Sequence, residues 1–162
     1  MAVDAQMKRR DFLKRSGLAA TSMALPVLAQ QPPPQRFQPV QDIAPLLAQL
    51  TGGATPQPGG IEVQLPAIAE NGNSVPMRIK VDHVMAPDDY VTAIHIVAER
   101  NPRPLVASFH LHPASGRAEV STRVRLAGTQ KVTVLAELSG KRFLMTQADV
   151  LVTAAACLDE SM

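Results

Sequence analysis

Residues 77–82 read Met-Arg-Ile-Lys-Val-Asp, a strict alternation of apolar and charged side chains. Successive side chains of a β-strand point to opposite faces, so this pattern predicts a strand with one face in a core and one in water. The alternation recurs at residues 61–65 and 120–126, on both sides of the stretch. Between them, the mostly apolar run 91–98 is typical of a central strand.

Three further segments continue the pattern. Residues 106–112 and 150–153 are predicted strands, and residues 132–138 pair with the segment containing Phe143 and Met145 in a hairpin. Turn sequences separate the strands: Asn71-Gly72-Asn73, Ala86-Pro87-Asp88-Asp89, Asn101-Pro102-Arg103-Pro104, Pro113-Ala114-Ser115-Gly116 and Ser139-Gly140. Seven or eight short strands without intervening helices predict an all-β fold, an immunoglobulin-like antiparallel β-sandwich over residues 60–153.

A short helix is predicted before the sandwich, at residues 41–53. Asp42 is the expected N-cap, and Gly52-Gly53 ends the helix. Its apolar positions follow helical spacing: Ile43, Leu46, Leu47 and Leu50. Residues 30–40 are rich in proline and glutamine, which predicts an extended linker.

The N-terminus carries the pattern of an export signal. A twin-arginine motif comprises Arg9, Arg10, Phe12, Leu13 and Lys14. The apolar run that follows, residues 16–27, is too short for a permanent membrane span. We predict a signal peptide over residues 1–29, cleavage after Ala29, and export to the periplasm by the twin-arginine route.

The basic charge of the chain belongs to this signal. The whole chain has a net charge of +2. Five basic and two acidic residues lie in residues 1–29, so the remainder carries −1. Its basic residues are scattered and its aromatic residues few, so no nucleic-acid surface is predicted.

Cys157 is the single cysteine of the chain. An intrachain disulfide is therefore impossible, and in the oxidising periplasm an exposed thiol would be capped, paired between chains or used. A thiol needs a base or a positive field to become reactive, whereas Asp159 and Glu160 lie beside this one. Any reaction at Cys157 is therefore expected to be performed by another protein, to which residues 154–162 are presented as a tail.

No other constellation predicts catalysis. His110 and His112 share a strand face, but no third metal ligand is evident, so neither a metal nor a cofactor is expected. His83 and His95 are predicted to have satisfied structural roles, and Ser115 is a turn residue. The pair Asp88-Asp89 is interpreted as a cap or a solvated face. Three arginines form a candidate basic strip, with a solvated sheet face as the alternative: Arg123, Arg125 and Arg142.

Four segments match a known family. Residues 69–76, 88–90, 98–104 and 113–126 read AENGNSVP, DDY, AERNPRP and PASGRAEVSTRVRL. They closely resemble SoxY, the family of sulfur-carrier subunits of the bacterial thiosulfate-oxidising (Sox) system. The resemblance covers nearly the whole chain after the signal.

The resemblance implies a periplasmic carrier protein and not an enzyme. It implies a SoxZ-like partner subunit and covalent attachment of sulfur to the family's C-terminal cysteine, here Cys157. A thiosulfate-oxidising cytochrome c, a sulfate-releasing hydrolase and a sulfur dehydrogenase would act on the attached group in turn.

The tail departs from the family's usual ending, in which glycines flank the cysteine. Alanines occupy residues 154–156, and Leu-Asp-Glu follows Cys157. Alanine restricts the backbone more than glycine, although an extended arm from Thr153 to Cys157 would still reach roughly 13 Å. Two alternatives remain open: an interaction subunit with a vestigial cysteine, and a covalent dimer formed through Cys157.

Overall fold

The structure is a computed structural model that describes residues 38–156. Within this range, one α-helix and nine strands follow in this order: α1 (Ala44–Thr51), β1 (Gln57–Pro58), β2 (Ile61–Gln64), β3 (Ile68–Ala69), β4 (Val75–Val81), β5 (Val91–Ala98), β6 (Leu105–His110), β7 (Glu119–Val124), β8 (Gln130–Leu138) and β9 (Arg142–Val152). A 3₁₀ helix, Pro113–Ser115, lies between β6 and β7.

The strands form two sheets. The large sheet has the order β1-β9-β8-β5-β6, and the small sheet has the order β2-β4-β7. All the longer strands pair antiparallel, whereas the two-residue strands β1 and β3 run parallel to β9. The predicted all-β, immunoglobulin-like sandwich with a short N-terminal helix is confirmed.

Side-chain alternation positions the core between the sheets. Along β4 the side chains are alternately buried and exposed from Val75 to Val81. Val75, Ile79, Ile94 and Val134 are among its fully buried residues. β-Branched residues fit a pleated surface, and they supply much of this core in a chain that has no tryptophan.

The central strands of the large sheet are buried on both faces. Thr133 and Leu135 alternate with the core positions of β8, yet both are fully buried. Gln41 donates to the Glu99 carbonyl at one end of the preceding segment, and Gln57 pairs with Leu144 at the other. These contacts attach the chain before α1 to the residue after β5, and the chain after α1 to β9.

Three predicted element boundaries are wrong. The predicted strand 150–153 is the end of β9, which continues from the hairpin without a break. Strand β6 ends at His110, because the His112 Nδ1 accepts a hydrogen bond from the Ala114 N–H and begins the 3₁₀ helix. Ile43, not Asp42, is the N-cap of α1; the Asp42 carboxylate instead accepts from the Ala44 N–H at 3.0 Å.

The expected turns at residues 71–73 and 86–89 form. The Asn71 Oδ1 accepts from the Asn73 N–H, and two backbone hydrogen bonds join Ala86 to Asp89. Within residues 38–156, no helix is long and apolar enough to cross a membrane. The predicted signal residues lie outside the described range.

Candidate functional site

The structure describes the chain up to Ala156, the residue before Cys157. Cys157 itself lies outside the described residues, as do Arg9, Arg10, Phe12, Leu13 and Lys14. What the structure defines is therefore the attachment of the segment from which the thiol continues.

This segment is tied to the sandwich by a ladder of backbone hydrogen bonds. Beyond the parallel pairing of β3 with β9, the Ala154 carbonyl accepts from the Gly72 N–H at 2.7 Å. The Ala156 N–H donates to the Leu126 carbonyl at 3.0 Å, and the side chain of Ala156 is buried. The Leu126 N–H in turn donates to the Gly72 carbonyl at 2.8 Å.

The ladder includes Thr153 and the first three residues of the predicted tail, 154–156. Thr153 donates through both its N–H and its hydroxyl, to the carbonyls of Ala69 and Glu70. Each backbone hydrogen bond in a packed region adds to the cost of lifting the segment away. The chain is consequently held as far as Ala156, only one residue short of the thiol.

Gly72 makes this attachment possible because it has no side chain. A Cβ at this position would clash with the Leu126 carbonyl oxygen. It would also lie 2.8 Å from the Ala156 nitrogen and 3.0 Å from the Ala154 carbonyl oxygen. All three atoms belong to the backbone, so the neighbours cannot avoid a methyl group by rotating a side chain.

A buried amide network supports the Leu126 side of the attachment. Asn101 donates to the Arg125 carbonyl at 2.8 Å, and its Oδ1 accepts from the Ala127 N–H and from the Gln130 side chain. The Gln130 Oε1 accepts from the Arg100 N–H. Because buried polar groups are costly when unpaired, these mutual hydrogen bonds fix the loop that receives Ala156.

Sequence reasoning missed Gly72, Asn101 and Gln130 as supports of the tail. Asn71-Gly72-Asn73 was predicted only as a turn. The available signal was that Gly72 and Asn101 both lie within the segments that resemble SoxY. Their joint action depends on contacts between residues far apart in the chain, which no local pattern shows.

Two arginines of the predicted basic strip belong to segments next to the attachment. The Arg123 Nη1 donates to the Ser74 hydroxyl at 3.2 Å, and Arg125 immediately precedes Leu126. Arg142, predicted as part of the same strip, is in fact on β9 of the large sheet and forms an ion pair with Asp89. The predicted strip is therefore wrong in including Arg142, because β7 and β9 belong to different sheets.

The histidines have separate partners. His83 is 3.0 Å from the Asp89 carboxylate and His95 is 2.8 Å from the Ser108 hydroxyl, which confirms their structural roles. His110 lies edge-on to His95, whereas His112 faces Tyr90. In the described part of the chain, no cluster of three or more His, Cys, Asp or Glu side chains is arranged to hold a metal ion.

Among the residues that the structure describes, Asp89 and His95 have altered pKa values. The hydrogen bond from His83 lowers the pKa of Asp89, and Arg142 lowers it further, while burial acts in the opposite direction. Burial also lowers the pKa of His95; the charge of Glu137 opposes this effect and His110 reinforces it. Neither side chain takes part in the hydrogen bonds of the ladder.

Comparison with known proteins agrees with the sequence resemblance. The family described as Sulfur oxidation protein SoxY matches residues 47–157. The sulfur carrier protein SoxY from Chlorobium limicola f thiosulfatophilum is 30% identical, with a TM-score of 0.57, and the match covers 67% of this chain and 89% of that one. No curated protein sequence matches.

A second solved structure is similar in fold alone. The superoxide reductase (neelaredoxin) from Ignicoccus hospitalis has a TM-score of 0.52 at 11% identity, over 58% of this chain and 80% of that one. The family match, by contrast, spans most of the chain and ends on its single cysteine. The chain belongs to the SoxY family.

Proposed function

We propose that this protein is a sulfur carrier of thiosulfate oxidation, and that the carried sulfur is attached covalently to the Cys157 Sγ. The observation that carries the proposal is the extent of the family match, which runs through the sandwich and includes Cys157 as its last residue. The similar Chlorobium protein is itself a sulfur carrier.

The proposed chemistry begins with oxidative coupling. The Cys157 thiol and thiosulfate form a sulfur–sulfur bond, giving Cys–S–S–SO₃⁻, one proton and two electrons, and the electrons pass to a c-type cytochrome enzyme. Water then cleaves the bond between the sulfane sulfur and the SO₃ group. Sulfate and a proton leave, and a persulfide stays on Cys157 for a sulfur dehydrogenase to oxidise.

The geometry suits a carrier that is acted on by other enzymes. Hydrogen bonds hold the chain to the sandwich as far as Ala156, so the thiol continues from a fixed point. A partner enzyme would meet the cargo at the edge of a rigid domain, not at the end of a long free arm. Arg123, whose Nη1 donates to Ser74 next to the Asn71–Asn73 turn, adds positive charge near the ladder that can attract an anionic sulfur group.

Partners and location belong to the same proposal. We expect a SoxZ-like subunit to accompany this chain, and the cytochrome, the hydrolase and the dehydrogenase to bind it in turn. The Arg9-Arg10 motif supports export of the folded protein to the periplasm.

Intact-mass measurement of protein purified from the periplasm tests the proposal. We expect adducts that correspond to sulfane sulfur and thiosulfonate, removable by reductant and absent from Cys157→Ser. Thiosulfate oxidation by the reconstituted system should be lost in Cys157→Ser and retained in Ser161→Ala, a change of similar size in the same tail. Full thiosulfate oxidation by Cys157→Ser would refute the carrier function.

The same spectra distinguish the alternatives. A covalent dimer would appear at twice the mass and return to the monomer mass on reduction. An interaction subunit with a vestigial cysteine would carry an unmodified thiol after exposure to thiosulfate and the partner enzymes.

A further inference from the structure

We propose that the acidic segment Leu158-Asp159-Glu160 of this chain docks in an arginine-lined groove of its own sandwich. The arginine groove is lined by Arg103, Arg123 and Arg125 and by apolar residues that include Leu105 and Val106, which we call its floor. The proposal goes beyond sulfur attachment and does not depend on it.

The groove lies between edge strands of the two sheets. Strand β6 is the edge of the large sheet and β7 the edge of the small sheet, and residues 38–41 close one side. Its volume is about 910 Å³. Leu105 on its floor is 37% exposed, so apolar surface is available for an apolar side chain.

The charges of the groove are unbalanced among the described residues. None of its lining residues is acidic. Within residues 38–156, Arg103, Arg123 and Arg125 form no salt bridge, in contrast to Arg78 and Arg142, which pair with carboxylates. The groove is therefore electrostatically suited to a ligand that carries two or three negative charges.

The tail emerges beside the groove. The Ala156 N–H donates a hydrogen bond to the Leu126 carbonyl, and Arg125 is the residue directly before Leu126. The Arg123 side chain donates a hydrogen bond to Ser74. Ser74 follows the Asn71–Asn73 turn, in which the Gly72 N–H donates to the Ala154 carbonyl. Three to four extended residues from Ala156 span about 10–13 Å, and we infer that this length brings Asp159 and Glu160 to these arginines.

The composition of the segment matches the groove better than a free oxyanion does. Asp159 and Glu160 complement the arginines, and Leu158 supplies an apolar group for the floor formed by Leu105 and Val106. A small oxyanion would leave both the floor and most of the volume unfilled. Tethering also raises the effective concentration of the segment to the millimolar range, which favours it over a dilute acidic partner.

Docking would hold Cys157 from both sides. Ala156 is attached before the thiol by hydrogen bonds, and the acidic segment would be attached after it by ion pairs. Exposed ion pairs weaken as salt screens them, so the second attachment would be released by high ionic strength while the first stays in place.

Hydrogen exchange of the full chain, read by mass spectrometry on the tail peptide, tests this docking. The acidic set is Asp159→Asn with Glu160→Gln, and the groove set is Arg103→Gln with Arg123→Gln and Arg125→Gln. A control set removes the same charge elsewhere: Lys80→Gln, Arg117→Gln and Lys141→Gln. All variants are made on a Cys157→Ser background to prevent disulfides, and circular dichroism verifies their fold.

We expect tail exchange to accelerate roughly threefold to tenfold in either set, as two surface ion pairs would give. The two sets combined should accelerate exchange no more than either set alone. The control set should exchange at the rate of the parent, and 1 M salt should accelerate exchange of the parent tail to the same extent as the variants. Unchanged exchange in the groove set, or additive effects of the two sets, would overturn the proposal. So would a tail that becomes protected only when thiosulfate or an acidic partner is added.

Discussion

At the residue scale, Gly72 is needed because neighbouring backbone atoms approach it closely, and not because its backbone adopts an unusual angle. Its φ is not positive, so another residue could adopt its backbone conformation. The constraint comes from three backbone atoms around the position that a Cβ would occupy. The absence of a side chain therefore allows Gly72 to hydrogen-bond both to Ala154 of the tail and to Leu126 of the neighbouring loop.

Replacing Gly72 with alanine should separate the tail from the sandwich. We expect Gly72→Ala to lower the free energy of unfolding by about 1–3 kcal/mol, typical of an overpacked site. The amides of Gly72 and Ala156 should exchange faster, because their carbonyl partners move away. Chemical denaturation and hydrogen exchange measure the two effects.

Gly128→Ala is the matched control in the neighbouring loop. Gly128 also has no positive φ, but a Cβ there has nothing within 4 Å. Equal stability losses in the two variants would contradict the role assigned to Gly72.

His95 should make stability depend on pH near neutrality. Burial lowers its pKa below the ordinary value of 6.5, so the unfolded state binds the proton more readily than the folded state. Stability conferred by the neutral imidazole is consequently lost as the pH falls from about 7 through 6.5 and below. The free energy of unfolding, measured from pH 5 to 8, should decline less toward acid in His95→Gln than in the parent.

Exposed His112 provides the comparison. His112→Gln should keep the decline of the parent over the same pH range. Identical pH profiles for His95→Gln and the parent would show that burial of His95 does not penalise its protonation.

At the scale of elements, the amide network joins the turn after β5 to the loop between β7 and β8. Asn101 bridges these segments through Arg125, Ala127 and Gln130, and the loop in turn receives Ala156. The tail is thus attached to a loop that other loops hold in place. Its position therefore depends on Asn101 and Gln130, which lie far from the tail in the sequence.

Removing the Asn101 side chain should destabilise this network. Asn101→Ala leaves the Ala127 N–H and the Arg125 carbonyl without their partner, and we expect a loss of about 2–3 kcal/mol. Thermal or urea unfolding measures the loss. Asn73→Ala is the control, because Asn73 is an exposed turn residue whose backbone N–H makes the turn hydrogen bond. A loss as small as that of the control would exclude the network as a support.

At the scale of the whole molecule, the crossover from the small sheet to the large sheet is held by charge. It leaves β4 after Val81, enters β5 at Val91, and carries both His83 and Asp89. Asp89 pairs with His83 within the crossover and with Arg142 at the start of β9. One carboxylate therefore fastens the crossover to the β8–β9 hairpin.

Acid should weaken this connection. The pKa of Asp89 is lowered from 3.8, chiefly by His83, so the stability it confers is complete well above pH 3.8 and is lost as the pH falls through the lower folded-state value. Asp89→Asn should be less stable than the parent near pH 6, and the difference should narrow toward pH 2–3. Asp88→Asn, at the exposed neighbouring carboxylate, should show no such change; parallel pH curves for parent and Asp89→Asn would contradict the role of Asp89.

The sequence by itself determined the two-sheet sandwich, because alternation at residues 61–65, 77–82 and 120–126 dictates which side chains enter a core. It also identified the family and the single thiol, because the matching segments and Cys157 can be recognised from residue identities alone. Local patterns did not show that β9 runs unbroken to Val152, or that the tail is held as far as Ala156. Only the tertiary structure decided these, because the ladder joins Gly72, Leu126 and Ala156 through backbone groups that every residue shares and no side-chain pattern marks.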